Sequence, residues 1–161
     1  MASEARPVRR IRTGLAVTLV GAALLGGCSS SETDGGAEPS IVATTTMLGD
    51  VSAMVAQCAQ STAITLMPIG ADPHDFAPSS EQVATMIAAD LVVANGLGLE
   101  EGLQDALSAA ETDGARVVEI APLVDPIPFG EGESLDPHFW NDVARMARAA
   151  DLIGAEFADA T

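Results

Sequence analysis

The chain alternates short apolar runs with segments whose apolar residues recur at helical spacing. Four runs of aliphatic and β-branched residues predict buried strands, at residues 41–46, 63–67, 91–94 and 116–120. Apolar positions three or four residues apart predict a helix after each strand, and Ser79 with Gln82 forms a capping box at the start of the second helix. Helices that connect buried strands favour an α/β fold, with a four-stranded, mostly parallel sheet flanked by helices.

The first predicted helix ends in a cysteine. Its apolar positions are Leu48, Val51, Met54, Val55 and Cys58. This spacing predicts that Cys58 is a buried structural thiol rather than a reactive one.

The residues before the first strand have the pattern of an export signal. Residues 1–12 are rich in Arg, and residues 14–25 form an apolar stretch of a length that suits a signal peptide but not a membrane-spanning helix. The small residues that precede Cys28 resemble the lipobox of bacterial lipoproteins, which predicts removal of a signal peptide at 1–27 and lipidation of Cys28. The alternative is an ordinary secretory cleavage nearby, with Cys28 incidental.

Composition separates a tether from the folded part and excludes one class of partner. Residues 28–40 consist largely of Ser, Gly and acids, which predicts a flexible tether before an α/β lobe at 41–161. From Cys28 onward, three Arg oppose 22 acidic residues, a net charge of −19. Nucleic acid requires a basic surface, so it is not an expected partner. The charge suits a soluble secreted protein and attracts cations through a general field.

The chain has two histidines, His74 and His138, and both occur in the same local context. Each follows an Asp-Pro pair and is followed within two residues by an aromatic residue. Each also lies in a loop between a predicted strand and a helix, and the carboxyl ends of parallel strands share one edge of a sheet, where ligands bind. Imidazole pairs suit zinc or manganese better than calcium or magnesium. The sequence therefore predicts a shared metal site with His74 and His138 as ligands.

Carboxylates near the histidines add to this site. Four of them are auxiliary candidates: Asp72, Asp75, Asp136 and Asp142. The first three could accept a hydrogen bond from a ring nitrogen that does not bind metal. Two histidines do not complete a metal shell, so Asp75 and Asp142 are the nearest further ligands, ahead of Glu131 and Glu133.

Other motifs are weaker. Gly96-Leu97-Gly98 follows a predicted strand, as in dinucleotide-binding turns, but Glu101 stands where such a turn has its third glycine. No Ser or Cys nucleophile has a local catalytic motif, so an enzyme is not expected.

Taken together, four segments resemble the substrate-binding lipoproteins of zinc and manganese ABC importers, also described as adhesin-like lipoproteins. In chain order these segments are Thr44–Thr46, Leu66–Phe76, Ala94–Glu100 and Asp136–Trp140. The resemblance implies two α/β lobes joined by a long helix, with the metal between them and with His74 and His138 as the N-terminal lobe's ligands. It also implies a receptor that is lipid-anchored on the extracytoplasmic side of the cell membrane and delivers Zn²⁺ or Mn²⁺ to a membrane permease.

The chain departs from this family pattern in ways that leave alternatives open. The last predicted helix has no stop signal before Thr161, which predicts the N-terminal lobe alone, without the second lobe and its ligands. Residues 125–133 are acidic and Pro-rich, where many zinc-specific members have a His-rich loop. The alternatives are a cell-surface adhesion or interaction lipoprotein, a truncated receptor fragment without function, and a small metal-dependent hydrolase with Asp75 as general base.

Overall fold

A four-stranded parallel sheet organises the computed structural model, which describes residues 41–132 and 134–161. In chain order, the elements are β1 (Ile41–Ala43), α1 (Thr46–Cys58), β2 (Ala63–Thr65), α2 (Ser80–Ala88), β3 (Leu91–Ala94), α3 (Gln104–Thr112), β4 (Val117–Glu119) and α4 (Val143–Ala160). The predicted signal peptide, the lipidation site at Cys28, the tether and Glu133 lie outside the described residues.

The strands are ordered β2-β1-β3-β4, and each neighbouring pair is parallel. In the middle of the sheet, Val42 of β1 pairs with Ile64 of β2 and with Val92 of β3. The predicted four-stranded parallel sheet with flanking helices is therefore confirmed. All the carboxyl ends of the strands lie along one edge.

Alternation along the strands divides the core into two layers. Ile41 and Val93 face α1 and α4, whose buried residues include Val51, Ile153 and Phe157. The intervening strand residues Val42, Val92 and Ala94 face the other way, toward α2 and α3, and pack with Met86, Leu103, Leu107 and Ala110. Successive side chains of a strand point to opposite faces, so a sheet that is apolar on both sides needs helices on both sides.

Helix α1 packs with only part of the face that the sequence predicts, because Leu48 and Val51 are buried as expected but Met54 and Cys58 are not. Its buried residues are Leu48, Gly49, Val51, Ser52 and Ala56, whereas Met54 is 59% exposed and Cys58 is exposed. The prediction that Cys58 is a buried structural thiol is therefore wrong. The small residues Gly49, Ser52 and Ala56 let this helix lie close to the sheet, and that close approach turns Met54 and Cys58 toward solvent.

Capping explains two of the element boundaries. Thr45 caps α1 by accepting a hydrogen bond from the Leu48 N–H at 3.4 Å, so β1 ends at Ala43 rather than at residue 46. The capping box of Ser79 and Gln82 at the start of α2 forms as predicted.

The helices of the described residues are short or amphipathic compared with membrane-spanning ones. Within residues 41–132 and 134–161, none of the helices combines the length and the apolar character needed to cross a membrane.

Candidate metal centre

The two Asp-Pro-His segments fold into the same local turn. The Asp72 carboxylate accepts a hydrogen bond from the His74 N–H at 3.0 Å, and the Asp136 carboxylate accepts one from the His138 N–H at 2.9 Å. Aspartate commonly bonds to the backbone two residues ahead, and the intervening proline has a fixed φ. The repeated sequence therefore specifies a repeated geometry, with a histidine presented at the end of each turn.

Both turns lie at the carboxyl edge of the sheet. Pro73 of the first turn lines a small pocket of about 50 Å³ with Thr45 and Thr46, which follow β1. The second turn is held by Asn95, which follows β3 and donates from Nδ2 to the Pro137 carbonyl at 3.0 Å. Strands β1 and β3 are neighbours, and paired strands lie about 4.8 Å apart. The first histidine loop thus lies beside the end of β1 and the second is hydrogen-bonded to the residue that follows β3, while their convergence on one ion stays a prediction.

His138 has an oriented ring. Its Nδ1 lies 2.7 Å from Asp136 Oδ1, and its side chain is 37% exposed. The backbone N–H of His138, and after it the ring, hold the pKa of Asp136 below its ordinary value. A ring that donates from Nδ1 to this carboxylate has its Nε2 directed away from Asp136, the orientation that metal-binding histidines have.

Aromatic residues surround this ring. Phe129 lies on one side with its ring centroid 5.9 Å away, and Trp140 meets the imidazole edge-on at 5.1 Å. Phe139 is buried beneath the turn, only 4% exposed. Next to the ring is a pocket of about 180 Å³, lined by Pro126, Ile127, Asp136, His138, Phe139, Asn141, Asp142 and Arg145.

The first turn is more open to solvent. His74, Asp72 and Asp75 are all exposed, and Asp72 bonds to the backbone of His74. Among the residues that the structure describes, no group of three or more His, Cys, Asp or Glu side chains could hold a metal ion. The ligand roles of the two histidines, and the auxiliary roles of the four aspartates, therefore stay predictions.

Asp142 has a structural task. Its carboxylate caps α4 by accepting from the N–H groups of Ala144 at 2.8 Å and Arg145 at 3.2 Å, and it pairs with the Arg145 guanidinium at 2.5 Å. The backbone N–H of Arg145 is the largest cause that lowers the pKa of Asp142 below its ordinary value. Burial opposes this, and the Ala144 N–H and the guanidinium reinforce it.

The lowered pKa predicts how this cap responds to pH. Asp142 stabilises the fold above the ordinary pKa of an aspartate, and that contribution is lost as the pH falls through its folded-state pKa. We expect Asp142→Ala to lower the free energy of unfolding at pH 7 and the difference from wild type to shrink below about pH 4. Asp142→Asn keeps an acceptor oxygen for the N–H groups of the helix, so its free energy of unfolding at pH 7 should lie between those of wild type and Asp142→Ala.

Urea unfolding followed by circular dichroism across this pH range measures the effect. Asp151→Ala, at an exposed aspartate within α4, controls for the loss of one negative charge. Equal losses for the 142 and 151 variants at pH 7 would contradict the capping role.

Sequence reasoning missed the part played by Glu100. This residue is 3% exposed, and its carboxylate accepts from the Thr44 hydroxyl at 2.6 Å, the Asn95 N–H at 2.7 Å and the Gly96 N–H at 3.0 Å. It thereby occupies the backbone N–H groups of Asn95 and Gly96, at the start of the Gly96-Leu97-Gly98 turn. The signal available in the sequence was an acidic residue directly after Leu99 in an apolar stretch, which indicates a buried carboxylate with hydrogen-bond partners.

These features define a class: an α/β binding lobe whose repeated histidine turns sit where parallel sheets bind ligands. Residues 41–161 match the model of the family described as "Zinc-uptake complex component A periplasmic". The chain belongs to this family, which confirms the resemblance found in its motifs.

Named relatives and solved structures agree with this assignment. The manganese-binding lipoprotein MntA of Halalkalibacterium halodurans is 34% identical over 140 residues, which cover 85% of this chain and 46% of that protein. MntA of Bacillus subtilis is 31% identical over 93% of this chain and 50% of its own length. The periplasmic zinc-binding protein TroA of Treponema pallidum superposes with a TM-score of 0.64 at 25% identity, over 76% of this chain and 48% of that one. The chain thus spans about half the length of these relatives.

Proposed function

We propose that this chain is the N-terminal lobe of an extracytoplasmic receptor that captures Zn²⁺ or Mn²⁺ and delivers it to an ABC permease. The observation that carries the proposal is the pair of histidine turns with the same Asp-to-backbone hydrogen bond, which lie at the ends of the neighbouring strands β1 and β3. Relatives of about twice this length are named as manganese-binding lipoproteins.

In this proposal His74 and His138 are ligands, and Asp136 orients the second of them. Two imidazoles do not complete a tetrahedral or octahedral shell. A second lobe supplies the remaining ligands, so the lobe alone binds metal weakly. Because nitrogen ligands favour Zn²⁺ over Mn²⁺, the lobe alone prefers zinc whichever ion the complete receptor carries.

The same proposal assigns a role to the amino-terminal residues. Residues 1–27 are the signal peptide, Cys28 carries the lipid, and residues 28–40 tether the lobe at 41–161 to the outer side of the cell membrane. A tether of this composition reaches roughly 20 Å, enough to hold the lobe clear of the bilayer. The excess of acidic residues concentrates cations near the receptor.

Metal titration tests the site. We expect Zn²⁺ to bind the protein with measurable heat, and His74→Ala or His138→Ala to weaken binding about tenfold or more, because loss of a ligand costs at least as much as loss of a group that orients one. Isothermal titration calorimetry with Zn²⁺ and then with Mn²⁺ gives both the affinities and the order of preference.

The control separates ligand loss from the general attraction of cations. Titrations at 0.15 M salt screen exposed charges over about 8 Å. Gln57→Ala, at an exposed position of α1, should bind Zn²⁺ like wild type. Affinities that are the same for wild type and both histidine variants would reject the shared site.

A further inference from the structure

One segment of the chain touches both histidine loops. It runs from Asn95 to Leu103, between β3 and α3. At its start, the Asn95 side chain donates to the Pro137 carbonyl, in the peptide that precedes His138. Near its end, Gly102 lies so close to the first loop that a Cβ atom there would stand 2.3 Å from the Phe76 carbonyl oxygen. The distance between the two loops therefore depends on the shape of this segment.

Glu100 fixes that shape. One oxygen of its carboxylate accepts from Thr44, at the end of β1, and from the Asn95 N–H, while the other accepts from the Gly96 N–H. Charge-assisted hydrogen bonds of this kind are the strong ones, and the low dielectric of a buried site strengthens them further. The carboxylate thus links Asn95 and Gly96, at the start of the segment, to Glu100 farther along it and to Thr44 at the end of β1.

A packing role alone does not account for this arrangement. Burying a carboxylate is costly, and hydrogen bonds from the Thr44 hydroxyl and from two backbone N–H groups offset that cost here, so Glu100 determines the shape of the segment as well as filling space. Asn95 is fully buried, and among the described residues its Oδ1 has no hydrogen-bond partner while its Nδ2 bonds to Gly96 and Pro137. The Asn95 side chain thus keeps its hydrogen bond to the second histidine loop, although its own Oδ1 is buried without a partner among the described residues.

We propose that Glu100 is a positioning residue that sets the distance between His74 and His138. The proposal rests on the metal-binding function proposed above. Binding sites require their groups to be held within about 0.5 Å of the productive geometry. Loosening the segment at Glu100 leaves each histidine able to bind on its own but removes their ability to bind one ion together.

The first test is Glu100→Gln. The amide keeps one acceptor oxygen but sets an NH₂ group against a backbone N–H, so the segment loses part of its anchoring. We expect Zn²⁺ affinity to fall about tenfold, as for other groups that orient metal ligands. In a His138→Ala background, the same substitution should have little further effect, because the pair is already broken. Glu101→Gln, at the exposed neighbour, removes the same charge and should bind Zn²⁺ like wild type.

The second test moves the first loop directly. Gly102→Ala places a methyl group against the Phe76 carbonyl and should also weaken Zn²⁺ binding about tenfold, while Gly154→Ala, with open space around it, should not. Circular dichroism and urea unfolding identify the variants that are folded at the titration temperature. If either Glu100→Gln or Gly102→Ala does not fold, the Zn²⁺ affinity of the folded one tests the positioning role.

The outcomes distinguish the two proposals. If wild type and His138→Ala bind Zn²⁺ equally, the shared site itself fails. If both histidines are needed for binding but folded Glu100→Gln or Gly102→Ala binds like wild type, the positioning role is overturned and the metal site stands. An equal loss from Glu100→Gln with and without His138 would also overturn it, because the effect would then not act through the pair.

Discussion

Replacing Phe139 with alanine is expected to lower the free energy of unfolding by about 3–5 kcal/mol, the usual cost of removing a buried phenylalanine. Phe139 is 4% exposed and belongs to the core layer that contains Ile120, Val124 and Ile153. The substitution removes apolar area from that layer and leaves a cavity beneath the second histidine turn. Since a domain of this size has about 5–15 kcal/mol of stability, the loss is a large share of the total.

Urea unfolding of the wild type and variant measures this loss. Phe129→Ala is the matched control, because it removes the same side chain from a position that is 54% exposed. We expect the control to lose less than about 1 kcal/mol, as surface substitutions do. Similar losses for the two variants would mean that Phe139 does not anchor the turn in the core.

Most of the fold could be predicted from the sequence because its local signals agree. Buried parallel strands are continuous apolar runs, and β3, at Leu91–Ala94, has the predicted boundaries. The capping box at Ser79 depends on residues three positions apart, which makes it visible in the sequence. The strand order depends on contacts between distant segments, and no local pattern specifies it.

The candidate site could be predicted only in its local parts. The Asp-Pro-His turns form from neighbouring residues, so their repetition in the sequence becomes a repetition in the structure. The bond from Thr44 to Glu100 joins residues 56 positions apart, and nothing in their spacing indicates it. Asp142 caps α4 because it directly precedes the first helical residue. This capping role competes with the predicted role of Asp142 as an auxiliary metal ligand.

The face of α1 could be predicted only in part, because it depends on a close approach to the sheet as well as on hydrophobicity. Periodicity places Met54 and Cys58 with the core residues of this helix, but both are exposed. The positions that face the sheet include Gly49 and Ser52, which count as weakly apolar or polar in any pattern. Small side chains there allow the helix backbone to approach β2, and contact area then outweighs the hydrophobicity of single residues.

Gly49→Ala should therefore be destabilising, although alanine is the better helix former. A Cβ atom at residue 49 would stand 1.9 Å from Thr65 Oγ1 and 3.1 Å from Thr65 Cβ. Rotating the threonine moves its oxygen but not its Cβ, so the helix must shift, at a cost of about 1–3 kcal/mol that exceeds the gain in helix propensity of about 1 kcal/mol. Gly154→Ala in α4 has open space and should gain stability instead.

A double-mutant cycle in urea unfolding tests whether this clash is the cause. In a Thr65→Ala background the closest contact, to Oγ1, is gone while the one to Cβ stays, so Gly49→Ala should cost less than it does in wild type, with a coupling energy of about 1 kcal/mol or more between the two sites. Thr65 is exposed, so Thr65→Ala alone should change stability by less than about 0.5 kcal/mol. Strictly additive effects would show that Gly49 is not held against Thr65, and the exposure of Cys58 would then need another cause.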